Sequence, residues 1–170
     1  MIIKKGELSR LSLSLFVCLS LHSWPSLEAQ AAVDFSGAWQ EDVSRSVPPG
    51  KSKRSRELKI QQIGRTLTVK VTSKAGESVR TLDLNYEIGG QELIYKGLDG
   101  DEFHTKVHRD GESLVFDTIE HERGRQIVEK QIWTLTEHGK ILREVKQAQE
   151  AGGPKESVKV YEKSSSGPVE

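Results

Sequence analysis

From Arg56 to Glu162 the chain keeps a two-residue hydrophobic rhythm, interrupted at short intervals by turn-forming residues. Successive side chains on a strand point to opposite faces, whereas a helix would repeat every 3.6 residues, so this rhythm commits the chain to β-structure. The clearest stretch is Thr66–Thr72, where Leu67, Val69 and Val71 share one face and Thr66, Thr68, Lys70 and Thr72 the other. Leu58 and Ile60 alternate in the same way with Glu57, Lys59 and Gln61. Turn chemistry separates the runs at Ser73–Glu77, Gly89-Gly90, Asp99-Gly100, Asp110-Gly111, Gly124 and His138-Gly139; Asp-Gly in particular is a strong hairpin sign. Between the turns, strands are predicted over Phe35–Glu41, Ser78–Leu84, Glu92–Tyr95, Glu102–His108, Ser113–Glu120, Gln126–Thr136, Ile141–Gln147 and Ser157–Glu162. Short connections make antiparallel neighbours, and closing such a sheet removes its sticky edges. The expectation is an all-β, antiparallel up-and-down meander closed into a barrel of about 8–10 strands.

The N-terminal stretch does not belong to that pattern. Lys4, Lys5 and Arg10 precede an uncharged, mostly apolar run from Leu11 to Leu21, followed by Pro25 and the small-x-small triplet Ala29-Gln30-Ala31. An apolar run this short falls below the roughly 20 residues that a membrane-spanning helix needs. The three parts have the layout of a secretory signal, here 1–31, cut before Ala32. Cys18 lies inside the apolar run after Leu15-Phe16-Val17. Val17 occupies the place where a lipoprotein signal needs a small residue, so a lipid anchor at Cys18 is not expected. The domain is then 32–163, with a Ser/Gly/Pro-rich, flexible tail over 164–170, and a secreted or periplasmic location follows. The chain has 25 basic and 25 acidic side chains, and losing 1–31 barely shifts that balance. Neutrality argues against nucleic acid as a partner and favours a ligand that is uncharged or mainly apolar. The segment Val47–Ser55 combines two prolines, a glycine and several basic groups, and reads as a solvated loop.

The opening Asp34-Phe35-Ser36-Gly37-Ala38-Trp39-Gln40 resembles the first strand of the lipocalin and fatty-acid-binding superfamily, which carries Gly-x-Trp. The chain is similar, from end to end, to small secreted bacterial proteins described as lipocalin-like, of calycin type. These share the Phe-x-Gly-x-Trp opening with serines downstream (Ser44 and Ser46), a Trp-Thr-Leu-x-x-x-Gly-Lys segment (Trp133–Lys140) and a closing Val-Tyr-Glu-Lys (Val160–Lys163). The resemblance implies a lipocalin-like barrel in which Trp39 plugs one end and Gly37 lets the chain pass close to it. It further implies an arginine over the plug, and Arg143 is the candidate, held by an attraction of about 0.5–2 kcal/mol. The Thr-Asp-Tyr turn, C-terminal helix and disulfide common in true lipocalins have no counterpart here, so architecture carries over more than ligand.

No catalytic motif stands out. There is no Gly-x-Ser-x-Gly elbow, phosphate-binding Gly-rich loop or His-Glu-x-x-His. With Cys18 removed no thiol nucleophile remains. His104 and His108 have helical ligand spacing but lie on a strand, roughly 13 Å apart, on the outward face with Lys106. Asp99, Asp101, Glu102 and Asp110 do not follow a calcium-loop pattern. Neither metal nor cofactor is expected, and the sequence is silent on oligomeric state.

Projecting the alternation inward places Leu67, Val69, Val71, Phe103, Phe116 and Trp133 in the lumen, with Thr105 and Gln131 as polar members of the same faces. A few polar groups in an apolar cavity suit a small-molecule site. The expected function is binding of a small hydrophobic ligand in the lumen, without covalent chemistry. The alternative is a side-chain-filled barrel that acts through its exterior as a protein-interaction or envelope module, with the basic run Lys51–Arg56 or the hairpin tip near His121 as contacts.

Overall fold

The computed structural model describes residues 32–47, 54–150 and 152–164. The expected signal 1–31 with Cys18, positions 48–53 of the basic loop and the tail beyond 164 lie outside the described residues. Ten antiparallel strands follow one another: β1 (Gly37–Glu41), β2 (Arg54–Ile63), β3 (Thr66–Ala75), β4 (Ser78–Glu87), β5 (Leu93–Lys96), β6 (Glu102–Asp110), β7 (Ser113–Glu122), β8 (Arg125–Thr136), β9 (Ile141–Glu150) and β10 (Gly153–Lys163). Each predicted strand is present, most of them extended by a few residues. Among the described residues the only helical element is a single turn at Glu137–Gly139, and no helix is long and apolar enough to cross a membrane.

The strands form one sheet in the order β4-β3-β2-β1-β10-β9-β8-β7-β6-β5. Strand β1 joins the two halves of the meander, pairing with β2 through Trp39↔Leu58 and with β10 through Trp39↔Lys163. The sheet curls until its outer strands meet, giving a nearly closed barrel. At one end of the resulting seam, Ile88 bridges Val107, and Arg65 donates to the carbonyls of Ile88 and Gly89 at 2.9 and 3.0 Å. Toward the other end only side chains cross. Tyr86 and Tyr95 meet edge to face at 6.4 Å, and Arg80 donates to the Leu98 carbonyl at 2.8 Å.

The end where the chain enters β1 is packed shut. Phe35, Trp39, Leu67, Leu114, Leu142 and Tyr161 are all fully buried. Trp39 is fully buried and donates its indole N–H to the Phe35 carbonyl at 3.1 Å, which fixes the ring across that end. Gly37 has φ +150, a conformation that side-chain-bearing residues rarely adopt, and a Cβ there would stand 2.6 Å from Cε of Lys163, whose flexible end would have to shift. Lys163, at 5.1 Å from the ring centroid, is the cation over Trp39. Arg143, the candidate for that place, is exposed on the outside of β9. Its neighbours Leu142 and Glu144 take the inward phase, and a period of two leaves Arg143 facing solvent.

Trp39→Ala removes the plug and should cost about 3–5 kcal/mol. Urea unfolding followed by far-UV circular dichroism measures this; a loss below about 1 kcal/mol would show that the closed end does not depend on the ring.

Candidate functional site

The other half of the barrel is hollow. A cavity of about 230 Å³ opens among strands β2 to β9, with apolar walls that include Leu58, Val69, Leu84, Tyr86, Phe116 and Trp133. Its aromatic side is continuous. Tyr86 meets Phe116 edge to face at 5.5 Å, Phe116 meets Trp133 at 4.6 Å, and Tyr95 stacks on Phe103 at 5.3 Å. Turns between β3 and β4, β5 and β6, β7 and β8, and β9 and β10 ring the open end. A hollow of about 320 Å³ beside Arg56, Ser73, Arg80 and Leu98 continues outward there.

Of the eight residues predicted for the lumen, Val69, Val71, Phe103, Phe116, Gln131 and Trp133 line this cavity. Leu67 and Thr105 are outside its lining. Leu67 is fully buried in the packed cluster, and Thr105, also buried, shares a hydrogen bond with Thr118 at 2.9 Å. The interior is therefore filled at the plugged end and open at the other, between the two alternatives the alternation leaves.

Sequence reasoning missed the charge inside. Arg56, Glu129, Glu144 and Lys146 line the cavity, and Glu144 and Glu129 are only 4% and 9% exposed. Glu129 holds Lys146 at 2.6 Å. Glu144 accepts the Tyr161 hydroxyl at 3.3 Å and lies 4.0 Å from Lys159, its cross-strand partner on β10. Burial works against the Arg56 charge, but Tyr161 and Glu144 beside it outweigh burial and raise its pKa. Burial lowers the Lys159 pKa against the pull of Glu144, and burial followed by Glu144 raises that of Tyr161. Tyr86 is likewise held protonated by burial and by Tyr95. The phase of the strands carries the sign of these positions: Arg56 is two residues from Leu58, Glu129 two from Gln131, and Glu144 two from Leu142.

Charges of both signs meet at the cavity mouth, where Arg123, Arg125 and Lys146 stand with a group of acids. Asp99, Asp101 and Glu120 bring carboxylate oxygens within 4.8 Å of one another, a grouping with the donors for a hard cation that the sequence spacing does not reveal, because Glu120 comes from another strand. Burial, then the Glu129 charge, push Glu120 up to about 6. On the outer face His104 and His108 stand apart as expected. His104 lies between Glu92 at 3.2 Å and Glu102 at 3.1 Å, while His108 pairs with Asp117 at 3.3 Å. The Glu102 hydrogen bond, then Glu92, raise the His104 pKa against partial burial. Among the described residues, two buried side-chain donors have no partner: Nη1 of Arg109 and Nε1 of Trp133.

The meander-barrel fold is shared with solved structures. A fatty acid transporter, REP1-NXSQ, is 13% identical over 81% of this chain and 98% of its own, with a TM-score of 0.57. The fold is that of a lipocalin-like, calycin-type barrel. A secretory abundant heat soluble protein from Ramazzottius varieornatus matches 76% of this chain and 94% of its own at 17% identity and TM-score 0.58. Zebrafish ileal bile acid-binding protein, complexed with cholic acid, matches 76% and 98% at 17% identity and TM-score 0.55. No protein-family model and no curated protein sequence matches the chain. At such identities the likeness is one of fold.

Glu120 gives the mouth a pH signature. Its folded pKa of about 6 lies above the ordinary 4.5, so the stability it contributes is full below pH 4.5 and is lost as pH rises through 6. Glu120→Gln should flatten thermal stability across that window relative to the wild type. Identical pH profiles in the two proteins would show that the mouth carboxylates do not interact.

Proposed function

We propose that this protein binds a small hydrophobic molecule in the open half of its barrel, without covalent chemistry. The observation that carries the reading is the cavity itself, which sets an aromatic and aliphatic wall (Leu84, Tyr86, Phe116, Trp133) against polar and charged groups (Arg56, Glu129, Gln131, Glu144, Lys146), an enclosed mixed surface of the kind that orients a small molecule. At about 230 Å³ it has the room of seven or eight waters at roughly 30 Å³ each, so the ligand is small or leaves part of itself in the mouth. Structural neighbours whose names record a fatty acid transporter and a bile acid-binding protein add support by analogy. Its place of work in this reading is secreted or periplasmic, after cleavage of 1–31.

Phenylnaphthylamine, an uncharged apolar fluorophore, tests the reading. The wild type should enhance its emission saturably while Trp133 fluorescence is quenched. Leu84→Trp, which adds bulk to the cavity wall, should cut that binding at least about tenfold with the β-sheet circular dichroism retained. Equal binding by wild type and Leu84→Trp would place the probe elsewhere and refute the lumen as the site.

A further inference from the structure

On the inner face of β2, β3 and β4 one row runs Arg56, Ser73, Arg80, each the direct cross-strand partner of the next. The row one step deeper is Leu58, Val71 and Leu82, all on the wall of the cavity of about 230 Å³. Arg56, Ser73, Ser78 and Arg80 line the hollow of about 320 Å³ that continues outward, with Asp99 as its one acid. A single step of the strand period thus takes the wall from apolar to cationic. Arg56 is also the last residue of the basic run Lys51–Arg56, so that run ends at this hollow.

The protein itself leaves these two cations largely unanswered. Among the described residues, neither guanidinium is in an ion pair with an acid. Arg80 donates through Nη2's companion nitrogen, Nη1, to the Leu98 carbonyl at 2.8 Å, and the rest of its fork is unspent. Arg56 has the Tyr161 hydroxyl beside it, with the charges of Glu144 and Glu41 farther off. Glu144 is already shared by Tyr161 at 3.3 Å and Lys159 at 4.0 Å. Asp99 keeps its carboxylate with those of Asp101 and Glu120. The hydroxyls of Ser73 and Ser78 have no hydrogen-bond partner among the described residues. Neighbouring strands lie about 4.8 Å apart, so the backbones of Arg56 and Arg80 are separated by roughly 10 Å, a span across which two long side chains can close on one group. Like charges held so close repel, and an anion between them turns that repulsion into attraction.

The geometry points to an oxyanion subsite in this hollow, where Arg56 and Arg80, with Ser73 between them, hold the phosphate or sulfate group of an amphiphile whose apolar chain lies in the cavity. The inference rests on the lumen-binding reading above and adds a head group to its ligand. Guanidinium forks match the oxygens of such groups, and serine hydroxyls add donors. The donors come from three strands, so they approach from several directions. A tetrahedral head with three free oxygens can meet them all, whereas a planar carboxylate offers two.

Decyl sulfate, decanoate and decanol share a chain length and differ in the head. Each is titrated, below its micelle-forming concentration, into the full chain loaded with phenylnaphthylamine at about pH 7.5, where decanoate is ionised. A purely apolar cavity would rank decanol first, because it is the least polar of the three. Instead, decyl sulfate should displace the probe at a concentration at least about tenfold lower than decanol, and lower than decanoate. Arg80→Gln, which removes one cation from the hollow, should narrow the ratio of decanol to decyl sulfate at least about fivefold. The wild-type ranking decides the matter even if this variant folds poorly. Decyl sulfate displacing no better than decanol or decanoate, or a ratio untouched in folded Arg80→Gln, overturns the subsite. A probe that never binds overturns the lumen reading beneath it, which is a different result.

Discussion

Strand β1 is five residues long, yet the barrel exists as one sheet only because of it. It pairs with β2 on one side and β10 on the other, and without it the meander would be two separate sheets, β4-β3-β2 and β10 to β5. So short a strand offers few hydrogen bonds, and its place is held by what its side chains do. Gly37 leaves room for Lys163, Trp39 fills the end of the barrel, and Glu41 faces inward toward Arg56 and Tyr161. These three residues, two apart along the strand, run from the closed end at Gly37 and Trp39 to the start of the charged chamber at Glu41.

From that anchor the interior divides by side-chain size. Around the plug, large apolar residues meet and leave no room. Farther along, the same inward positions are occupied by Arg56, Gln131, Glu129, Glu144 and Lys146, which pair with one another across strands instead of filling the center. Charges taken from water must be paired closely to be tolerated, and these pairs form between neighbouring strands along one wall, which leaves the centre unfilled. The hollow is a consequence of that arrangement. The polar end is therefore built into the walls by the register of β8, β9 and β10, and is not a gap left by poor packing.

The strands were legible because alternation is a local property: Leu67, Val69 and Val71 declare their face within seven residues. The Asp-Gly and Gly-Gly turns were legible for the same reason. The expectation of a plug came with the resemblance of the Gly37-x-Trp39 opening to a lipocalin first strand, a signal carried within one strand. What escaped the sequence is what depends on register between strands. Glu129 meets Lys146 from across the β8–β9 pair, and Glu120 joins Asp99 and Asp101 from the other side of the β6 turn. Hydrophobicity as the guide to inward faces favours apolar residues and passes over Glu144, while the resemblance points to its outward neighbour Arg143 for the place that Lys163 occupies.

The central claim is that the open half of the barrel receives an apolar molecule. Methyl carbon–proton spectra of the labelled protein, recorded during titration with decanol, test it most directly. The account predicts saturable shifts at Val69, Val71, Leu82 and Leu84 on the cavity wall, with Val79, Ile94 and Val128 on the exposed surface unmoved. Shifts confined to the outer methyls, or none at any concentration, would contradict it.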